Sequence, residues 1–143
     1  MAVRTVVLDA NVYVSALAFG GTPKRAFQLG ITRRVHVAIS DPIRTEVLRT
    51  LRDKIRWSEE RLADAGRLIG TAATTVVPTV TLQVVERDPD DDRVLECAVT
   101  AKAGRCVIVT GDLDLLSLGE YEGIRIVQVA EFLDQIGASN PEP

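Results

Sequence analysis

The sequence predicts an α/β fold: a central parallel sheet flanked by helices on both faces. Three observations carry this. The short apolar runs Val6-Val7-Leu8 and Val107-Ile108-Val109 read as strands buried on both faces. Segments with apolar residues at helical spacing alternate with such runs along the chain. Over 143 residues, 46% hydrophobic and 26% charged residues suit one globular domain with a real core rather than a disordered chain.

Residues 3–8 form the first strand. Thr22-Pro23, after Gly20-Gly21, reads as a helix N-cap followed by proline at the first helical position. That helix carries Ala26, Phe27 and Leu29 and stops at Gly30. Residues 35–39 alternate as a second strand. Asp41-Pro42 starts the next helix by the same capping logic, with Ile43, Val47, Leu48 and Leu51 at helical spacing. A further helix runs from Glu59 to Ile69 and is ended by Gly70. Thr71 to Val85, rich in Thr and Val with Pro78 inside, is strand-prone or extended. Asp88-Pro89 begins a helix to Ala103, stopped by Gly104. Residues 106–109 form a strand and Asp112–Leu118 a short helix or turn. Arg125–Val127 form a last strand and Ala130–Ile136 a last helix. Residues 3–136 make a single domain, and 137–143 a flexible tail.

Composition narrows the chemistry. A net charge of −3 does not mark a strongly basic nucleic-acid binder, although a cation-loaded acidic cluster would neutralise part of it. Basic residues remain at Lys24-Arg25, Arg33-Arg34 and Arg44 through Arg56. The single histidine, His36, leaves almost no material for a histidine-dependent triad or a histidine-rich metal site. Cys97 and Cys106 lack zinc-site spacing and read as buried thiols in a reducing compartment. No stretch is long enough to span a membrane, and nothing at Met1–Arg4 resembles a signal peptide, so a cytoplasmic location is expected.

Four carboxylates fall where a divalent metal site could be built: Asp9, Glu46, Asp92 and Asp112. Asp9 and Asp112 follow the two buried strands, at the sheet edge where open α/β folds bind ligands. Crowded acids are expensive there unless a cation holds them. Each residue also has an ordinary structural reading. Asp9 could serve a turn, Glu46 could be an exposed helical acid bordering an apolar face, and Gly111-Asp112 could make a tight turn. The run Asp88-Pro89-Asp90-Asp91-Asp92 holds more acids than capping needs. Asp92, just before Val94-Leu95 and Ala98-Val99, is placed at the core edge, and Asp88, Asp90 and Asp91 are placed at the cap or in solvent. Asp114 supports Asp112. Asn11 offers a neutral oxygen ligand or a hydrogen bond to Asp9.

In order and context, these residues resemble a known family. Val7-Leu8-Asp9-Ala10-Asn11-Val12, Gly20-Gly21-Thr22-Pro23, and Ser40-Asp41-Pro42 leading to Glu46 are followed by Asp88-Pro89-Asp90-Asp91-Asp92 leading to Leu95-Glu96-Cys97-Ala98. Thr110-Gly111-Asp112-Leu113-Asp114-Leu115-Leu116 and Gly123-Ile124-Arg125-Ile126 through Phe132-Leu133 complete the pattern. Together they resemble PIN-domain proteins, of the subgroup described as toxin components of toxin–antitoxin systems (VapC-like ribonucleases). The resemblance implies a Rossmann-like PIN fold and a Mg²⁺- or Mn²⁺-dependent endoribonuclease leaving 5′-phosphate and 3′-hydroxyl ends. It carries the acidic site over to Asp9, Glu46, Asp92 and Asp112, with Asp114 as a further metal ligand and Asn11 and Thr110 in support. It also implies an RNA substrate, a cognate antitoxin and a homodimer. Lys24 and Arg25 are the candidate contacts to the RNA backbone.

Two other readings compete. A haloacid-dehalogenase-type phosphatase also places aspartates at strand ends, but it needs Asp-x-Asp after the first strand, and Asn11 stands at the second position. A non-catalytic PIN-fold binding protein would use the acids for a structural cation or for capping, and would leave RNA intact.

Overall fold

The computed structural model describes residues 5–102 and 104–139. Four short apolar segments form the parallel centre of a six-stranded sheet: β1 (Thr5–Leu8), β2 (His36–Ile39), β4 (Cys106–Val109) and β6 (Ile124–Val127). β3 (Ala73–Thr75) extends one edge in parallel, and β5 (Glu120–Tyr121) closes the other as an antiparallel partner of β6. The order is β3-β2-β1-β4-β6-β5. β1 and β4 lie buried along their whole length, as a parallel sheet covered on both faces requires.

The chain leaves β1 toward β2 on one side and later returns at β4 on the other. The neighbouring pair β1 and β4 is therefore where the sheet order switches direction. Their register is Thr5 to Cys106 through Leu8 to Val109, so both strands end at the same level. The residues that follow, Asp9 and Thr110, emerge side by side. The Asp9 amide still donates to the Val109 carbonyl at 2.9 Å, and the Thr110 amide to Val127 at 3.0 Å, so neither residue sits on a free loop.

Among the described residues, seven helices cover the sheet: α1 (Ala10–Ala18), α2 (Gly21–Ile31), α3 (Asp41–Asp53), α4 (Glu59–Ala72), α5 (Pro89–Ala101), α6 (Leu113–Leu118) and α7 (Val129–Ser139). α1 carries no amphipathic signature because Ala10, Val12, Tyr13, Val14 and Ala16 are all buried. Tyr13 meets Phe27 of α2 edge to face, at 5.9 Å between ring centres.

Several expected boundaries move. The cap of α2 is Gly20, in left-handed backbone at φ 83°, rather than Thr22. Gly30 does not end α2; it is buried inside the helix, where an added Cβ would lie 2.5 Å from the Ala72 carbonyl oxygen and 2.8 Å from Val37. Its role is close packing against α4 and β2. Gly70 does not end α4, which continues to Ala72. Ser40, not Asp41, caps α3, with Pro42 in the first turn. α7 runs past Ile136 to Ser139, into the expected tail; residues 140–143 of that tail, Val3 and Arg4 of the expected first strand, and Ala103 lie outside the described residues. No helix among the described residues is long and apolar enough to cross a membrane.

Candidate metal centre

Asp9 is buried at the exit of β1, and its Oδ2 accepts a hydrogen bond from the Thr110 hydroxyl at 2.6 Å. The same hydroxyl oxygen accepts from the Asp112 amide at 2.9 Å. Thr110, fully buried, thus links the ends of β1 and β4 and fixes the turn that presents Asp112. Asp112 caps α6: its Oδ2 accepts from the Leu115 amide at 3.0 Å.

The acidic run at the start of α5 completes the group. Asp88 caps the helix, its Oδ1 accepting from the Asp90 amide at 3.1 Å. Carboxylate oxygens of Asp88, Asp91 and Asp112 all lie within 4.8 Å of one another. Asp91 is 4% exposed, and its Oδ2 is buried with no hydrogen-bond partner. Glu46, in the second turn of α3, is half-buried and feels the charges of Asp90, Asp9 and Asp88.

Electrostatics shows how closely these groups face each other. Burial first, then the close Asp112 carboxylate and the charges of Asp88 and Asp9, push the Asp91 carboxyl up to about 9. Burial, then Asp90, Asp9 and Asp88, push Glu46 up to about 7. Asp9 is raised as well, chiefly by burial, with the Thr110 hydrogen bond opposing. Without a cation, such a cluster keeps protons that isolated carboxylates would lose.

The structure separates some of the residues that the sequence groups together. Asp92 was expected beside the strand ends, but its Oδ1 is occupied by the amides of Val84 and Val85, each at 2.9 Å. The reason is helical phase. Asp91 precedes Val94, Leu95 and Ala98 by three, four and seven residues, so it continues the buried stripe of α5 toward the sheet. Asp92 is rotated one step away, toward the segment 76–87. Asp91 and Asp88, read from sequence as cap or solvent residues, are the acids that meet Asp112; the stripe that marked the helix already carried this signal.

The remaining expectations fall as follows. Asn11 is exposed in the first turn of α1, and the hydrogen bond that orients Asp9 comes from Thr110 instead. Asp114 is outside the three-carboxylate group and lines a neighbouring groove with Val84, Val85, Glu86, Arg87 and Leu118. Lys24 is exposed on α2. Arg25 borders a groove of about 370 Å³ between α2 and α7, whose lining includes none of the cluster acids. Cys97 and Cys106 are buried free thiols, pushed up to about 12 and about 11 mainly by burial, which removes them as nucleophiles.

The donor set fits a hard divalent cation. Every candidate ligand is a carboxylate oxygen, the only histidine lies exposed on β2, and one buried carboxylate oxygen has no partner of its own. Comparison with known proteins agrees with the fold. The profile of the PIN domain family matches residues 5–114. Among solved structures, the chain is similar to one described as VapBC2 from Rickettsia felis bound to a DNA fragment from their promoter. The TM-score is 0.62 at 11% identity, covering 87% of this chain and 98% of the other. No curated protein sequence matches.

Proposed function

The chain belongs to the PIN-domain family, and on that premise we propose that it is a Mg²⁺- or Mn²⁺-dependent endoribonuclease acting at the acidic cluster. The observation that carries the reading is the buried, partnerless oxygen of Asp91 beside the carboxylates of Asp88 and Asp112. Asp9, Asp88, Asp91 and Asp112 would hold the ion, with Glu46 on the facing helix. Asp92 leaves the ligand set, and Asp114 is a residue of the rim.

When bound, the ion supplies Lewis acidity, activating water for attack and offsetting charge on the phosphoryl group. The chain's own residues prepare that chemistry. Thr110 holds Asp9 and Asp112 in fixed relation through one hydroxyl. Burial of Asp9 and Asp91 limits the screening of their charges by bulk water. Glu46, whose carboxylate senses the charges of Asp9 and Asp88, would be placed to accept a hydrogen bond from an attacking water. In-line displacement then leaves a 5′-phosphate and a 3′-hydroxyl.

The biological setting we propose is the toxin half of a toxin–antitoxin pair in the cytoplasm. A cognate antitoxin would restrain the nuclease, and the chain would form a homodimer. The neighbouring structure, described as VapBC2 on its promoter DNA, supports this setting through fold alone.

The test is cleavage of a labelled mixed-sequence RNA with Mn²⁺, Mg²⁺ or EDTA. Metal-dependent cutting with 5′-phosphate products is expected. RNA left intact in both metals by folded protein would favour the non-catalytic binding module. A phosphorylated Asp9 trapped after incubation with a phosphomonoester would favour the phosphatase mechanism instead.

A further inference from the structure

Residues 76–85 form a strap without regular secondary structure, ending in a turn at Glu86-Arg87, and its start is tied to the sheet by the Val76 amide, which donates to the Ile39 carbonyl at 2.8 Å. A backbone segment laid against a helix finds no backbone partners there, because the helix satisfies its own. Here α5 answers with side chains. Asp92, Glu96 and Thr100 are spaced by four residues and share one face of the helix. Thr100 Oγ1 accepts from the Thr79 amide at 3.1 Å and Glu96 Oε2 from Leu82 at 2.8 Å, while Asp92 Oδ1 takes both Val84 and Val85 at 2.9 Å. Arg93 adds bonds to the Leu82 carbonyl at 3.3 Å and to Glu96 at 2.8 Å. The strap therefore runs antiparallel to α5 and is fastened most tightly at its end, by a carboxylate that is 4% exposed.

That end leads directly into the acidic cluster. Only Glu86 and Arg87 separate Val85 from Asp88, the α5 cap and one of the three converging carboxylates. We propose that Asp92 is a positioning residue for Asp88: its double clasp on Val84 and Val85 fixes the path of the chain and so delivers the Asp88 carboxylate to the cation. The proposal rests on the metal-centre reading above. It gives the two adjacent aspartates different tasks, Asp91 binding the ion and Asp92 holding the strap that brings the third ligand.

The experiment is Mn²⁺ titration of the full chain and of folded variants, monitored by calorimetry without RNA. Asp91→Asn is expected to lose Mn²⁺ binding. Asp92→Asn keeps a carboxamide oxygen that can accept both amides, and is expected to retain affinity within about threefold. Asp92→Ala removes the acceptor and is expected to weaken binding about tenfold, as Asp88→Asn does. The double variant Asp88→Asn/Asp92→Ala should be no weaker than Asp88→Asn alone, because the two act through one ligand. Unchanged affinity in Asp92→Ala, additive losses in the double variant, or an Asp92→Asn as damaged as Asp91→Asn would each overturn the proposal. A measurement on the unaltered protein does not depend on variant folding. Mn²⁺ should slow amide hydrogen exchange at Val84 and Val85 more than at core strand β4, by reciprocity of linkage; equal effects would contradict it. Wild-type protein that takes up no Mn²⁺ overturns the metal-centre reading itself. Binding without RNA cleavage overturns only the nuclease.

Discussion

Thr110 is the residue through which the two halves of the acidic site communicate. Its hydroxyl donates to Asp9 and accepts from the Asp112 amide, and it is inaccessible to solvent. Thr110→Val keeps the shape and removes both bonds. RNA cleavage should fall about 10- to 100-fold, the usual cost of losing support behind a metal ligand, with Thr110→Ser restoring most of it. Stability should drop by about 1–3 kcal/mol, since the Asp112 amide and the Asp9 carboxylate lose their partner. A circular-dichroism melt beside the kinetic assay separates the two effects, and wild-type rates in Thr110→Val would remove the linking role. At this scale the sequence was informative wherever a strand fixes the position: Asp9, Thr110 and Asp112 lie at the strand ends where the apolar runs put them. It was less so on α5, where neighbouring aspartates differ only by 100° of helix rotation. Proximity to an apolar stripe suggested Asp92, whereas phase with the stripe is what turns Asp91 toward Asp112.

Among the elements, two glycines read alike in the sequence, as helix stops, and behave oppositely in the fold. Gly30 lies where α2 crosses the end of α4, with no room for a methyl group beside the Ala72 carbonyl. Gly30→Ala should destabilise the protein by about 1–3 kcal/mol through overpacking. Gly70 has nothing within 4 Å of a built Cβ and sits inside α4. Gly70→Ala should stabilise by about 0.5–1 kcal/mol through helix propensity. Urea unfolding of both variants checks the signs; the same sign for both would contradict the packing. Helices whose apolar residues recur on one face, such as α3 and α5, were legible in the sequence. α1 was not, because it is buried nearly all round and begins without a side-chain cap. β5 is two residues long, too short to leave a pattern.

For the molecule as a whole, the acidic edge couples folding to pH and to metal. Asp9, Glu46 and Asp91 all have carboxyls raised by burial and by neighbouring carboxylates, Glu46 to about 7 and Asp91 to about 9. Groups raised on folding hold more protons in the native than in the unfolded state between the ordinary carboxylate range and those values. Stability is therefore fullest below about pH 4, as far as these groups are concerned, and is lost as pH rises through about 7 and about 9. In EDTA, the cluster's contribution should make the melting temperature fall from pH 6 to pH 9. Saturating Mn²⁺ should raise it, and by more at pH 8 than at pH 6, where protons compete for the same oxygens. A metal-independent melting temperature across this range would contradict cation binding at the cluster. The strand order could be anticipated in class but not in detail from sequence. Buried apolar runs alternating with helices dictate a parallel sheet, whereas neighbour relations such as β1 beside β4 depend on long-range packing that no local pattern encodes.

The most direct measurement compares cleavage of a labelled mixed-sequence RNA by wild-type protein, Asp9→Asn and Asp91→Asn, each folded, in Mn²⁺ and in EDTA. Cutting by the wild type in Mn²⁺ alone, abolished in both variants, is the predicted result. Cutting that persists in EDTA, or in either variant, would contradict a nuclease built on these carboxylates.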